Sequence, residues 1–117
     1  MEATGDHALA RAHLLYDASR LEECLAACGE VLAADPEDAD AHALAGWCHL
    51  GRGRADDALE ATMRAIRAAP EWAESRRLLA AVQVQRGEMG AARGAIEEAV
   101  RLEPEDPAYP AFLADLH

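Results

Sequence analysis

The ten residues AIRAAPEWAE, at positions 65–74, read as the end of a helix followed by a turn that contains proline. A similar stretch, AVRLEPEDPA, stands at 99–108, and a weaker version, VLAADPEDAD, at 31–40. The prolines that they share lie 34 residues apart and are Pro36, Pro70 and Pro104. Proline stops a helix because it lacks the backbone N–H and clashes with the preceding turn. A helix end that recurs at a constant interval indicates that the chain consists of copies of one unit.

Other positions recur at the same interval of 34 residues. A small or flexible residue separates the two predicted helices of each unit, and it is Ser19, Gly53 or Gly87. Such a residue allows the left-handed backbone that ends one helix and turns the chain back. The residues that recur within the first helix of each unit are also small, and they are Ala12, Gly46 and Ala80. Small residues let neighbouring helices approach closely.

The apolar residues between these positions follow the spacings of three and four that are typical of an amphipathic helix. The pattern predicts three helix pairs, at 6–17 with 20–33, 39–51 with 55–68, and 73–86 with 89–102. The last stretch, PAYPAFLADLH at 107–117, carries a single apolar stripe. It predicts either a helix that caps the third unit or the start of a truncated fourth unit.

Composition fits one all-helical domain over 1–117. Alanine fills 29 of the 117 positions, and 51% of the residues are hydrophobic. Alanine is the best helix former but buries little area, so we expect thin packed layers of helices. The chain is long enough for one core but not for two domains.

Charge and cysteine content restrict the function. The net charge of −11 repels nucleic acids and anionic lipid surfaces. No apolar run reaches the ~18 residues of a membrane span, and the N-terminal residues lack a secretion signal. Three cysteines, an odd number, indicate free thiols in a reducing compartment. We therefore expect a cytoplasmic protein, or a cytoplasmic part of a larger one, that neither binds nucleic acid nor inserts into membranes.

These features resemble the tetratricopeptide repeat family, which has a 34-residue helix–turn–helix unit. Like family members, the chain has small residues at the eighth, twentieth and twenty-seventh positions of the unit and proline at the thirty-second. The repeats are 5–38, 39–72 and 73–106, followed by 107–117. The resemblance implies an all-α fold, a right-handed α-solenoid, with a concave groove lined by the first helix of each repeat.

The resemblance also implies which residues face that groove. The candidate partner-binding residues are Leu9, His13, Tyr16, Asp40, Trp47, Leu50, Glu74, Arg77 and Val84. Trp47 is either a binding anchor or a packing residue against the next repeat. Arg77, the only arginine or lysine at these positions, is predicted to hold a carboxylate of a partner.

Two features leave alternatives open. The acidic ladder Asp6, Asp40 and Glu74 either selects a basic ligand or stabilises helix starts through the helix dipole, and we favour the second interpretation. Trp72 is either an exposed contact residue or a lid over the helix junction.

The resemblance implies an interaction module and not an enzyme. The sequence contains no phosphate-binding loop, nucleophile elbow or paired-carboxylate motif. Cys24 and Cys28 are interpreted as buried core thiols, so we expect no metal and no cofactor. The predicted function is binding of a protein partner through one of its peptides or helices. Basic and amphipathic segments are among the expected ligands. The alternative is a structural scaffold that assembles by self-association through its ends or its convex face.

One family subtype is not expected. Binders of chaperone C-termini hold the terminal carboxylate with Lys and Asn at defined groove positions. The matching positions lack this clamp and are occupied by Leu9, His13, Leu44, Glu74 and Leu78.

Overall fold

The structure, a computed structural model, describes residues 4–116, with the side chains of residues 7–116. Within this range every regular element is a helix, and the bounds are Thr4–Asp17 (α1), Leu21–Ala34 (α2), Ala39–Gly51 (α3), Ala55–Ala68 (α4), Ala73–Gln85 (α5), Met89–Leu102 (α6) and Ala108–Asp115 (α7). The first six helices begin and end within two residues of the predicted bounds, so the all-α prediction is confirmed. None of the helices in this range has both the length and the apolar character that a bilayer crossing requires.

The same turn joins the two helices of each repeat. Its central residue has a positive φ each time, 63° at Ser19, 75° at Gly53 and 79° at Gly87, as the recurrence predicts. The N–H of the next residue donates to the carbonyl five positions back, for example from Arg54 to His49 over 2.8 Å. This arrangement, the Schellman motif, satisfies carbonyls that a helix end leaves without partners. The chain then turns so that the second helix packs against the first.

The helices form an elongated array of 47 × 27 × 23 Å. Each helix packs against its neighbours along the chain, and the first helices of adjacent repeats also touch, α1 with α3 and α3 with α5. The row formed by α1, α3 and α5 carries the candidate groove residues, because all nine of them lie on these three helices.

Small residues keep the packed layers thin. At Gly46 in α3, an added Cβ would lie only 2.8 Å from Cδ2 of Leu78, a fully buried side chain of α5. The equivalent residues of the other repeats, Ala12 and Ala80, are also fully buried. Close approach of α3 and α5 therefore depends on the missing side chain at Gly46.

The three cysteines belong to the core of the first two repeats. Cys24, Cys28 and Cys48 are free and buried, as the packing interpretation predicts. Burial raises the pKa of the Cys28 thiol to about 12, and it raises that of Cys48 as well. The Cys28 and Cys48 thiols are therefore protonated at neutral pH, and a protonated thiol is a poor nucleophile.

The last helix, α7, covers the end of the third repeat. Tyr109 is 6% exposed and belongs to a buried cluster that also contains Ile96 and Ala99 of α6. Three half-buried residues of the apolar stripe pack against this cluster, and they are Phe112, Leu113 and Leu116. The side chains of this stripe are therefore packed against the third repeat of the same chain.

Candidate functional site

The structure brings four of the nine predicted groove residues together around one cavity. The cavity has a volume of about 220 Å³ and is lined by His13, Asp40, Ala43, Leu44, Trp47, Trp72 and Glu74. Its walls come from α1, α3, the start of α5 and the turn before α5. Since these segments belong to three successive repeats, the cavity exists only when the repeats are stacked.

Arg77 is held between Trp47 and Glu74. Its guanidinium carbon lies 4.7 Å from the centroid of the Trp47 ring, within the range of a cation–π contact. Its Nε and Nη2 donate to the two carboxylate oxygens of Glu74 over 3.1 and 2.6 Å. These hydrogen bonds are the main cause of the raised pKa of Arg77. The predicted grip of Arg77 on a carboxylate of a partner would require this bidentate pair to break.

Glu74 has a second contact that the sequence did not predict. The Tyr109 hydroxyl donates to Oε1 of Glu74 over 3.5 Å, so α7 reaches the carboxylate of a candidate groove residue. Burial raises the pKa of Tyr109, and the neighbouring Glu74 charge raises it further. Sequence spacing showed Tyr109 only as part of an apolar stripe and carried no signal for the contact of its hydroxyl.

Asp40 and Glu74, two members of the acidic ladder, lie in the first turns of α3 and α5, and neither side chain caps its helix. In α3 the capping carboxylate is that of Asp38, whose Oδ1 accepts from the N–H of Ala41 over 2.9 Å. Asp40 instead pairs with His13, and its Oδ1 lies 3.1 Å from Nε2 of that ring. The Asp6 side chain, the third member of the ladder, lies outside the described side chains.

The remaining predicted residues do not line the cavity. Leu9 packs against the small cluster that contains Val31, and Leu50 against the cluster that contains Val82. Tyr16 packs against the core that contains the cysteines, and burial raises its pKa. Val84 is 36% exposed. These residues have both packed and accessible surface.

Trp72, which the sequence left undecided, is half-buried and does two things. It packs against the cluster that contains Ala65 and Leu78, and it lines the cavity together with Trp47. The two tryptophans stand 25 residues apart, which matches neither a helical spacing nor the repeat interval. Sequence reasoning therefore had no signal for their pairing.

The fold is that of a helical repeat protein. The candidate site is a cavity of about the size of one side chain on the row of first helices. The model of the family described as "Tetratricopeptide repeat" matches residues 15–82. The chain therefore belongs to the tetratricopeptide repeat family, and the right-handed α-solenoid expected from the sequence is confirmed.

Solved structures show the same fold at low sequence identity. A mutant O-GlcNAc transferase of Thermobaculum terrenum aligns with a TM-score of 0.91 and 22% identity, over 99% of this chain and 23% of that one. This chain thus spans about a quarter of the transferase.

Two shorter proteins align over most of their length. The second tetratricopeptide repeat domain of human RPAP3, in complex with an HSP70 peptide, has a TM-score of 0.82 and 17% identity, over 91% of this chain and 88% of that one. The Yersinia enterocolitica type III secretion chaperone SycD, in complex with a peptide of the translocator YopD, has a TM-score of 0.86 and 16% identity, over 99% and 88%. A comparison with the sequences of curated proteins finds no match.

Proposed function

We propose that this chain is a non-catalytic interaction module that binds a peptide or helix of a partner protein along α1, α3 and α5. The observation that carries the proposal is the cavity between Trp47 and Trp72, because large aromatic side chains around a concave site are typical binding anchors. Support also comes from RPAP3 and SycD, whose similar folds are each seen with a peptide.

The surroundings of the cavity suit an extended ligand. Leu9, Tyr16 and Leu50 are half-buried, and Val84 is exposed, so the row of first helices carries further accessible apolar surface. A ligand lying along the row would bury this surface, and burial of apolar surface favours binding.

An acidic chaperone tail fits this groove poorly. The clamp residues are absent from the sequence, and one matching position, Leu78, is fully buried and beyond the reach of a ligand. The carboxylates of Asp40 and Glu74 line the cavity and would repel acidic residues.

A pair of matched substitutions tests the groove. Val84 and Met63 are exposed apolar residues of similar accessibility, 36% and 42%, on α5 and α4 respectively. We would select binders from a phage-displayed library of random dodecapeptides on the wild-type protein. Val84→Glu should weaken the selected peptides about tenfold or more, because the ligand would desolvate the new carboxylate. Met63→Glu, with the same change in charge on a helix outside the row, should leave their affinity unchanged.

Other results would contradict the proposal. Failure to enrich any peptide, or peptides that respond to Met63→Glu and not to Val84→Glu, would exclude the groove as the binding site. Circular dichroism of both variants separates loss of binding from loss of the fold.

Self-association is the second candidate, and one observation favours it. Leu14 in α1 is 69% exposed, and an exposed leucine can contact another copy of the chain. Sedimentation equilibrium over a range of concentrations distinguishes the two functions. A mass that rises with concentration in the wild type and not in Leu14→Glu supports self-association, whereas a constant monomer mass excludes it.

A further inference from the structure

We propose that the cavity between Trp47 and Trp72 receives a cationic side chain, lysine or arginine, of the bound peptide. The inference rests on the proposed function and specifies the chemistry of the partner. It gives the acidic ladder, at least at Asp40 and Glu74, a role in selecting a basic ligand.

The walls of the cavity have the composition that a cation needs. Trp47 and Trp72 contribute aromatic rings, whose electron-rich faces attract ammonium and guanidinium groups. Asp40 and Glu74 contribute carboxylates to the same lining, and carboxylates form charge-assisted hydrogen bonds with both groups. Ala43 and Leu44 complete an apolar wall against which the methylene stem of a long basic side chain can pack.

Arg77 shows that this chemistry already operates in the groove. Its guanidinium lies over the Trp47 ring and binds both oxygens of Glu74, as a guanidinium of a partner would be expected to do. Arg77 is not among the residues that line the cavity. The space is therefore present while Arg77 is in place, and a second cation can enter it.

The charge around the cavity leaves one carboxylate without a full countercharge. Glu74 is balanced by Arg77, while Asp40 contacts the His13 ring. On the formal count, which takes histidine as uncharged, the four groups carry a net charge of −1. Since the whole chain carries −11, its field also attracts a basic partner at long range.

The size of the cavity suits a single side chain. Its volume of about 220 Å³ is below the roughly 300–1,000 Å³ that is typical of small-molecule sites. A peptide lying along α1, α3 and α5 would place one side chain in this space. We therefore expect one fixed basic position in the ligand and not a run of basic residues.

The chain has a built-in reporter for this site. It contains two tryptophans, and both line the cavity. The two indole N–H signals in a ¹⁵N-resolved NMR spectrum of the native chain therefore report on ligand entry. The probes are the dodecapeptides selected on the wild type, each compared with a version in which arginine is replaced by citrulline or lysine by norleucine.

The expected result has three parts. Selected peptides share one lysine or arginine, they shift both indole signals, and the neutral version binds about tenfold or more weakly because a charge-assisted hydrogen bond is lost. Asp40→Asn should weaken the basic peptides to a similar extent and leave their neutral versions unaffected. Asp57→Asn is the matched control, because Asp57 also lies in the first turn of a helix, α4, and gives the same change in net charge.

A second variant, Arg77→Gln, tests the inference even if Asp40→Asn does not fold. Arg77→Gln releases Glu74 and the Trp47 ring, so we expect it to strengthen binding of the basic peptides. If Arg77 instead holds a carboxylate of the partner, the same substitution weakens binding, and the inference is overturned.

The outcomes separate the inference from the proposed function. Peptides that respond to Val84→Glu but lack a fixed base, or that ignore Asp40→Asn, overturn the cationic occupant and leave groove binding intact. If no peptide is enriched, both the proposed groove binding and the cationic occupant are excluded. Peptides whose base is required, but which respond equally to Asp40→Asn and Asp57→Asn, show attraction to the overall charge and also overturn the inference.

Discussion

The guanidinium carbon of Arg77 lies 4.7 Å from the centroid of the Trp47 ring and joins the first helices of two adjacent repeats. The same guanidinium forms a bidentate pair with Glu74, three residues earlier in α5. Trp47, Glu74 and Arg77 therefore form one connected group, and a change at any of them alters the surroundings of the other two. This connection makes the surface formed by α3 and α5 a part of the interface between repeats.

The first prediction concerns the coupling of Glu74 with Arg77. A double-mutant cycle with Glu74→Gln and Arg77→Gln should give a coupling free energy of about 1 kcal/mol in urea unfolding, because the pair is bidentate and only partly exposed. The exposed pair Glu60 and Arg64, four residues apart in α4, is the control, with side chains 64% and 52% exposed. Its coupling should stay below about 0.5 kcal/mol. Equal coupling in both pairs would contradict the geometry at Arg77.

The second prediction concerns the turn of the first repeat. Ser19 has a φ of 63°, a conformation in which a non-glycine residue is strained, whereas the other two repeats have glycine there. Ser19→Gly should raise the free energy of unfolding by about 0.5–1 kcal/mol. The reverse change, Gly53→Ser, should lower it by a similar amount. A destabilised Ser19→Gly would mean that the serine side chain contributes more than its backbone strain costs.

The third prediction compares two glycines that lie within helices. Nothing lies within 4 Å of a Cβ added at Gly94, so Gly94→Ala should stabilise the fold by about 0.5–1 kcal/mol through helix propensity. At Gly46 the same methyl group would lie 2.8 Å from Cδ2 of Leu78 and 3.1 Å from Oγ1 of Thr62, and both of those side chains are fully buried. Gly46→Ala should therefore destabilise by about 1–2 kcal/mol. Thermal unfolding of both variants measures the difference, and equal stabilisation would show that α3 and α5 separate easily.

The fourth prediction concerns stability in weak acid. Nδ1 of His49 is buried without a hydrogen-bond partner, and burial lowers the pKa of this histidine, with Arg52 and Arg54 lowering it further and Asp57 opposing them. The unfolded chain, where a histidine pKa is about 6.5, then takes up the proton more readily than the native state. The contribution of His49 is therefore complete above that pH and is lost as the pH falls towards the lower native pKa.

Removal of the imidazole should make stability less dependent on pH. We expect His49→Gln to lose less free energy of unfolding than the wild type between pH 7 and pH 5, measured by urea unfolding at each pH. His7→Gln, at an exposed position of α1, is the control and should follow the wild type. A His49→Gln curve parallel to the wild type would show that this ring titrates normally in the folded protein.

Local sequence was enough to predict the helices and their turns. Each helix end depends on residues close in the chain, such as Gly53 with its positive φ and the proline that follows each pair. Register within the repeat also predicted the small residues at helix crossings, including Gly46. These features repeat because each unit packs against its neighbours in the same way.

The sequence by itself determined the repeat, the six paired helices, the left-handed turns and the list of residues on the first helices. Only the tertiary structure decided how those residues are paired, Arg77 with Glu74 and Trp47, and His13 with Asp40. It also placed Trp72, from the turn before α5, in the lining of the same cavity as Trp47. Helix formation follows from interactions over three or four residues, which a sequence displays directly. The side-chain pairs depend on how closely successive repeats approach and on which rotamers the packed interface allows, and both are properties of the assembled array.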